Sequence, residues 1–540
     1  MIRRAFLKGV LASAALVLFG NRGAHGQGWS GYRFLHGVAS GDPLADGIIL
    51  WTRISGTVTG PLRVEWEIAK DREMLRTVQR GSVWTDDYRD YTVKVDVRNL
   101  RPGQAYYYRF SLYGDASPVG RTRTLPEGEV ASASLAVVSC SNFPYGYFHA
   151  YREIANRDDL DAVVHLGDYI YEYGAGEYGT EYAETLGRVP EPAHEVISLD
   201  DYRLRHAQYK ADPDAQAMHA AHPFIAIWDD HEITNDAWRA GALNHQADEG
   251  DYAERVRAGV RAYFEWMPIR GAAAGGRTRI FREFTFGNLM SLIMLDTRLF
   301  GRDIQPDVQV GDEPVTEESV RAALADPERR MLGDYQEQWL RRKLSASKAT
   351  WQVLGQQVMM APLYSPDLEP LLDLEKESML SPELLQRNIA LSKSNPPLLL
   401  DTWDGYPVAR EQLLADLELH ARNPVVISGD LHTAMASELV PHGKEQPVAV
   451  EFMTTSVSSP GFAEYLPEVR PGVIRDAAQA LNPWVKYMDT DHRGWLRLDV
   501  THERCSGEWH LLDTVHAPDY EPTVDRQLSV RAGKINEGLS

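Results

Sequence analysis

The chain has 540 residues, of which 44 % are hydrophobic and 25 % charged. That length exceeds an ordinary single domain and predicts about two, in a composition typical of soluble globular proteins. The formal net charge of −21, from 56 basic and 77 acidic residues, argues against a nonspecific nucleic-acid-binding face, which needs a basic surface. It does not bear on small anionic ligands whose charge is met by bound cations. Cysteine occurs only at Cys140 and Cys505, which is no disulfide framework.

In chain order, residues 1–26 read as an export signal of the twin-arginine (Tat) type. Arg3 and Arg4 precede Ala5-Phe6-Leu7-Lys8, an apolar run follows at 10–19, and Ala24-His25-Gly26 offers small residues to a signal peptidase. The run is too short for a permanent membrane anchor. This segment predicts Tat machinery as a partner and a periplasmic or extracellular destination. Residues 29–127 read as all-β, with alternating segments at 48–54, 63–69, 91–97 and 105–112 separated by Gly- and Pro-containing turns. The stretch LRPGQAYYYRF at 100–110 resembles the corner of a fibronectin type III sandwich, where a tyrosine hydroxyl ties the strand back to the preceding turn. From 132 to 515, buried-strand runs alternate with stretches of helical periodicity at 148–157, 200–219, 251–267, 334–345 and 409–421, with Asp200 and Asp334 as N-caps. Such alternation predicts an α/β fold of packed layers. Residues 172–192 and 301–327 lack periodicity and read as loops over the strand-end face. Residues 516–540 are polar and read as a tail or terminal helix.

Six apolar runs end in chemistry-bearing residues: VVSCS at 137–141, VVHLGDYIY at 163–171, IAIWDDHE at 225–232, LIMLDTR at 292–298, VLGQQ at 353–357 and VVISGDLH at 425–432. Their β-branched content suits strands buried on both faces, and ligands of open α/β sheets bind beyond the carboxyl ends of such strands. Asp168, following Gly167, is placed to bridge two metal ions. Cys140 offers a thiolate, Tyr171 a phenol and His432 an imidazole, a set suited to a transition metal. Asp230, Asn235 and Asp430 offer hard oxygens suited to calcium or magnesium. His231 reads as a residue supporting the ligands or as a general acid on the substrate side. Asp229 reads as a support of its loop, and Asp296 with Arg298 as an ion pair. His149, His165, His206, His219 and His222 read as structural.

SCSNFPYGYF, HLGDYIYEYG, WDDHEITND, LDTR, GQQ and SGDLH, preceded by GVASGDPLADGIILWTRI, resemble the PhoD-type alkaline phosphatases, a family that also holds a metal-dependent phospholipase D branch. The resemblance covers nearly all of the chain after the leader. It implies a calcineurin-like metallophosphoesterase core behind a fibronectin III-like sandwich, and an Fe3+ ion with Ca2+ beside it. By motif, Cys140, Asp168, Tyr171 and His432 would hold iron, while Asp168, Asp230, Asn235 and Asp430 would serve calcium. Asp236 stands beside Asn235 as the alternative ligand. The expected reaction is hydrolysis of phosphomonoesters and phosphodiesters by direct attack of a metal-bound hydroxide, with Asp168 and His231 as the catalytic pair. No G-x-S-x-G surrounds Ser139 or Ser141, so no covalent serine intermediate is expected. Two other readings are a phospholipase D acting on phospholipids and a non-enzymatic surface adhesin.

Overall fold

The computed structural model describes residues 32–540 except 58, 272–278, 308–315, 373–385, 387–388, 391 and 466–471. The export signal read at 1–26 lies outside the described residues. No helix among them is long and apolar enough to cross a membrane.

The N-terminal segment forms β1 (Val38–Gly41), β2 (Ile48–Arg53), β3 (Leu62–Ala69), β4 (Thr77–Thr85), β5 (Thr92–Val97), β6 (Ala105–Leu112), β7 (Asp115–Ala116) and β8 (Gly120–Arg123). Along β6 every second side chain is buried, the period expected of a strand with one face on a core. β1, β2 and β5 form one layer, while β3, β4, β6, β7 and β8 form the other. Ile48, Leu50, Val64, Ile68, Val93, Tyr108 and Phe110 join in the core of this segment. The Tyr106 hydroxyl accepts the backbone N–H of Arg101 at 3.0 Å, tying the strand to its corner. The two-layered segment is not closed on itself. β1 pairs in parallel with β11 (Pro223–Ala226), so its first layer continues into a sheet of the following segment. Side-chain alternation reports the buried face of a strand, not the partner at its edge, and this join was not expected.

Among the described residues, the rest of the chain builds two large sheets and one small hairpin. β9 (Ser132–Val138), β10 (Ala162–His165), β11 and β1 run parallel at the centre of a nine-stranded sheet. After the short hairpin of β12 (Ala237–Trp238) and β13 (Gly241–Ala242) come β14 (Arg282–Phe286), β15 (Met290–Met294), β16 (Trp351–Gly355), β17 (Pro424–Ser428), β18 (Ala434–Leu439), β19 (Ala449–Met453) and β20 (Val485–Asp489). The last seven form the second sheet, in the order β14-β15-β16-β17-β19-β18-β20, with β15, β16, β17 and β19 parallel. β21 (Arg493–Thr501), β22 (Arg504–Leu512) and β23 (Pro522–Arg531) return to the first sheet beside β9.

The two faces of the second sheet separate cleanly. Leu292, Val353, Val425 and Val450 share a core with Val137, Val163 and Ile225 of the first sheet. Ile293, Leu354 and Val426, one residue along each strand, share another with Leu340, Leu344, Leu413 and Leu417 of helices Asp334–Ala346 and Pro407–His420. Each fully buried side chain of this kind stabilises by roughly 1.5–3 kcal/mol. The two sheets therefore stack face to face, with these two helices outside the second sheet.

Several local expectations are corrected. The helix expected over 200–219 is two, Leu199–Ala211 and Pro213–Ala221, broken where Asp212 accepts from Asp214 N–H and Ala215 N–H as N-cap of the second. The first starts at Ser198, which forms a capping box with Asp201, not at Asp200. Asp334 is the first helical residue rather than an N-cap, which is Gly333. The segments read as loops carry short helices, Ala183–Leu186 and Glu317–Leu324. The C-terminal segment 516–540 is neither tail nor helix over most of its length: β23 pairs antiparallel with β22, its inner residues Leu528 and Val530 joining the main core.

Candidate metal centre

Chain segments just beyond β9, β10, β11 and β17 converge on one buried site. Cys140, Asp168, Asp430 and His432 all adopt the left-handed region, with φ of 60°, 55°, 68° and 54°. Such residues cost on the order of 1–3 kcal/mol each and persist only where the surroundings impose them. Glu232 supplies much of that constraint. Its carboxyl accepts the backbone N–H groups of Asp168 (3.1 Å), Tyr169 (2.7 Å) and Asp229 (2.8 Å). Burial raises Glu232 to about 8 even though those N–H groups pull the other way. Gly167 has φ of 119°, and a Cβ there would lie 2.3 Å from the Asp229 Cβ, so the close approach of the two loops requires glycine.

Asp168 Oδ2 is 3.5 Å from Cys140 Sγ and 3.3 Å from the Tyr171 hydroxyl, which is 3.2 Å from His432 Nε2. His432 Nδ1 donates to the carbonyl of Pro460 at 2.5 Å. That bond orients the ring with Nε2 toward the cluster, the usual arrangement for a ligating imidazole. Burial lowers His432 to about 3, so it is neutral. The Ser459 hydroxyl oxygen sits 2.7 Å from the Tyr171 hydroxyl. Cys140, Asp168 and His432 form one group of donors within 4.8 Å of one another, Asp168, Asp230 and His231 a second, Asp168, Asp229, Asp230 and Asp430 a third, and Asp230, Asp236 and Asp401 a fourth. The Asp168 carboxylate belongs to the thiol-containing group and the all-oxygen group alike.

Two buried guanidiniums answer this negative charge, Arg298 and, at Asp401, Arg302. The Arg298 guanidinium contacts Asp229, Asp401 (2.7 Å), Asp430 (3.3 Å) and Asp230 (3.6 Å) with no exposure of its own. It does not pair with Asp296, whose carboxylate instead accepts the N–H groups of Arg298 and Leu299; this corrects the expected Asp296–Arg298 pair. Burial and neighbouring acids hold Asp168, Asp236 and Asp430 well above the usual carboxylate range and push the Cys140 thiol up. Asp230 Oδ1 is buried without a hydrogen-bond partner. A buried acid cluster in which Asp230 Oδ1 has only the 3.6 Å approach of Arg298 and no hydrogen bond, with a thiol among carboxylates, fits metal ions, which would supply the missing positive charge.

His231 lies at the edge of this cluster. Its Nδ1 is 2.7 Å from the buried Glu172 carboxylate. Burial alone would lower its pKa, but Glu172, Asp230 and Asp168 outweigh burial and hold it well above the ordinary value. Glu172 also accepts from Asn235 N–H (2.7 Å) and Thr234 Oγ1 (3.1 Å).

Seven of the expected site residues thus meet: Cys140, Asp168, Tyr171, Asp230, His231, Asp430 and His432. Asn235 is fixed by its backbone to Glu172, while its neighbour Asp236 places a carboxylate beside Asp230 and Asp401. Asp229 does support the loop, through Arg298. The five histidines read as structural are buried away from the ligands. His149 bonds the Ala517 carbonyl, His165 the Tyr151 hydroxyl, His219 the Tyr169 hydroxyl and His222 the Ile154 carbonyl, while His206 packs between Tyr169 and Trp266. Sequence reading missed Glu172, Glu232, Asp401 and Ser459. Asp401 follows no strand, and Ser459 is one of many serines, so neither carried a signal. Glu172 and Glu232 did, since each directly follows a ligand motif.

Comparison with known proteins agrees with this geometry. The PhoD-like phosphatase family matches residues 135–509, and its N-terminal domain matches residues 22–126. The chain belongs to the PhoD-like phosphatase family. It is 34 % identical over 505 residues to "Alkaline phosphatase D" of Bacillus subtilis (strain 168), covering 91 % of this chain and 79 % of that protein. A solved structure titled "Structure of PhoD" superposes with a TM-score of 0.81 at 32 % identity, covering 95 % of this chain and 93 % of the other. The mixed α/β fold is therefore that of PhoD, and this PhoD-like phosphatase hydrolyses phosphoric esters.

The acid cluster makes a prediction for the chelated phosphatase. Burial, only partly opposed by Arg298, raises folded Asp229 from 3.8 to about 6. A carboxyl raised on folding binds more protons in the folded than in the unfolded state between those values, so stability falls as pH rises across that window. Chelated enzyme should melt at progressively lower temperature between about pH 4 and 6, and metal-loaded enzyme should show a shallower slope. Parallel melting curves across this range check it, and equal slopes contradict it.

Proposed function

We propose that this PhoD-like phosphatase is an exported alkaline phosphatase and phosphodiesterase working at an Fe3+–Ca2+ centre on a calcineurin-like core, with a fibronectin III-like segment ahead of it. Cys140, Asp168, Tyr171 and His432 would hold Fe3+. Asp168, Asp230, Asp430 and Asn235 would serve Ca2+, with Asp236 positioned to replace Asn235. The observation that carries this reading is the sharing of Asp168 between a thiol–phenol–imidazole set and an all-oxygen set. Softer ligands favour a transition metal and oxygens favour calcium. When bound, the ions would lower the pKa of water and offset charge on the phosphate oxygens. The twin-arginine leader is the proposed export route, tested by whether active enzyme accumulates outside the cytoplasm.

The chain's own residues divide the remaining work. Asp168 holds both donor sets at a fixed separation, through the backbone bonds to Glu232. Arg298 orients Asp229, Asp230 and Asp430 toward the centre. His231 is the proposed general acid: Glu172 fixes its Nδ1 and favours its protonated form, and Nε2 is left to protonate the departing alkoxide. General acid catalysis contributes about 10²-fold or more. His231→Gln should therefore slow an alkyl phosphate about 10²-fold and 4-nitrophenyl phosphate far less, since nitrophenolate leaves without a proton. Equal loss on both substrates would show that His231 acts otherwise.

A further inference from the structure

Beside His231 stands a wall of tyrosines. Tyr171 and His231 have ring centroids 4.3 Å apart and form its buried floor. Tyr173 lies 5.5 Å and Tyr178 6.4 Å from the His231 ring, the latter nearly parallel to it at 3°. Tyr173 and Tyr178 are themselves 5.1 Å apart, and Tyr178 is 6.2 Å from Tyr171. Tyr173 and Tyr178 are half-buried, so they form the rim of this patch.

The rim is built rather than draped. Gly174, after Tyr173, is pressed against the chain at Ala193 and Glu195, where a Cβ would meet backbone at 2.9 and 3.0 Å. Its N–H donates to Glu177 Oε2 at 2.7 Å, and Ala175 N–H donates to the Ala193 carbonyl at 2.8 Å. Gly179, after Tyr178, has φ of 66° and sits where a Cβ would lie 2.2 Å from Asn142 Nδ2. Asn142 belongs to the same loop as Cys140. The Thr180 hydroxyl closes the turn by donating to the Glu177 carbonyl at 2.6 Å. Each rim tyrosine is thus followed by a glycine that lets the backbone dock tightly, and one of them docks on a metal-ligand loop.

From this geometry we infer that Tyr173 and Tyr178 are specificity-determining residues that receive the leaving group, favouring phosphoesters whose leaving group is a flat aromatic ring. The inference rests on the proposed metal centre, to which Tyr171 belongs. Tyr173 and Tyr178 stand beside the Tyr171 and His231 rings at the edge of that centre, so a leaving group on that side of a bound phosphoester meets their faces. Flat rings gain from offset or edge-on contact with aromatic side chains beyond simple burial, whereas an alkyl group gains only burial.

The test compares kcat/KM for phenyl phosphate and butyl phosphate in the full metal-loaded enzyme. Taking the aryl-to-alkyl ratio relative to wild type cancels the intrinsic difference between the two leaving groups. Tyr178→Leu and Tyr173→Leu should each lower that ratio about 3- to 10-fold, while Tyr178→Phe should retain it. A ratio unchanged in both leucine variants, whether both rates fall together or neither falls, overturns the inference. A ratio that falls equally in Tyr178→Phe also overturns it, because the hydroxyl and not the ring would then be responsible. Failure of the underlying site is read separately: it would appear as phenyl phosphate hydrolysis that survives Asp168→Ala.

Discussion

Asp168→Ala should remove phosphomonoesterase and phosphodiesterase activity together, by roughly three orders of magnitude or more. Asp168 is the carboxylate that the thiol-containing and the all-oxygen donor groups have in common. Its loss therefore disturbs both proposed ion positions at once, where loss of Cys140 or Asp430 disturbs one. Charge stabilisation by a catalytic ion is worth several kcal/mol, and each 1.4 kcal/mol is about tenfold in rate. The fold should survive, because the left-handed backbone at 168 is held by Glu232 through main-chain N–H groups, which alanine retains. The check is the pair of rates, measured on one preparation alongside its metal content. Survival of either activity would mean that the two reactions do not share this centre.

Arg298→Met should lower the urea midpoint of the protein by an amount corresponding to about 3–5 kcal/mol, the usual cost of removing one partner of a buried ion network. The guanidinium has no exposure and touches four carboxylates, so methionine leaves the buried Asp229 and Asp230 and the partly buried Asp430 without it, while Asp401 keeps Arg302. The deficit relative to wild type should shrink as pH is lowered through the region where Asp229 and Asp430, both raised by burial, take up protons, since a neutral acid needs no partner. An unchanged midpoint at neutral pH would show that bound cations, not Arg298, carry the compensation.

The residues proposed to hold metal were legible as candidates because each lies just past a buried strand, and a strand buried on both faces announces itself as an unbroken apolar run. Cys140, Asp168, Asp430 and His432 were found that way. What holds them was harder to see. Arg298 was visible as a charge in LDTR, but its partners Asp229, Asp401 and Asp430 come from three other segments that only the fold assembles. The same holds for Ser459 against Tyr171. Among the elements, the parallel join of β1 to β11 left no trace, because pairing at a strand edge uses backbone groups common to every residue. Two helix boundaries, by contrast, were marked and misread. Ser198-Leu199-Asp200-Asp201 carries a capping box, and Asp212-Pro213 marks a restart, since proline disfavours helical backbone in the residue before it.

The central claim is that Cys140, Asp168, Tyr171 and His432 bind iron while the neighbouring carboxylates bind calcium. Elemental analysis of protein recovered after export through its own leader tests it most directly. The account predicts stoichiometric iron together with calcium, and iron lost from Tyr171→Phe or Cys140→Ser before calcium is. Stoichiometric zinc with no iron in the wild-type protein would contradict it.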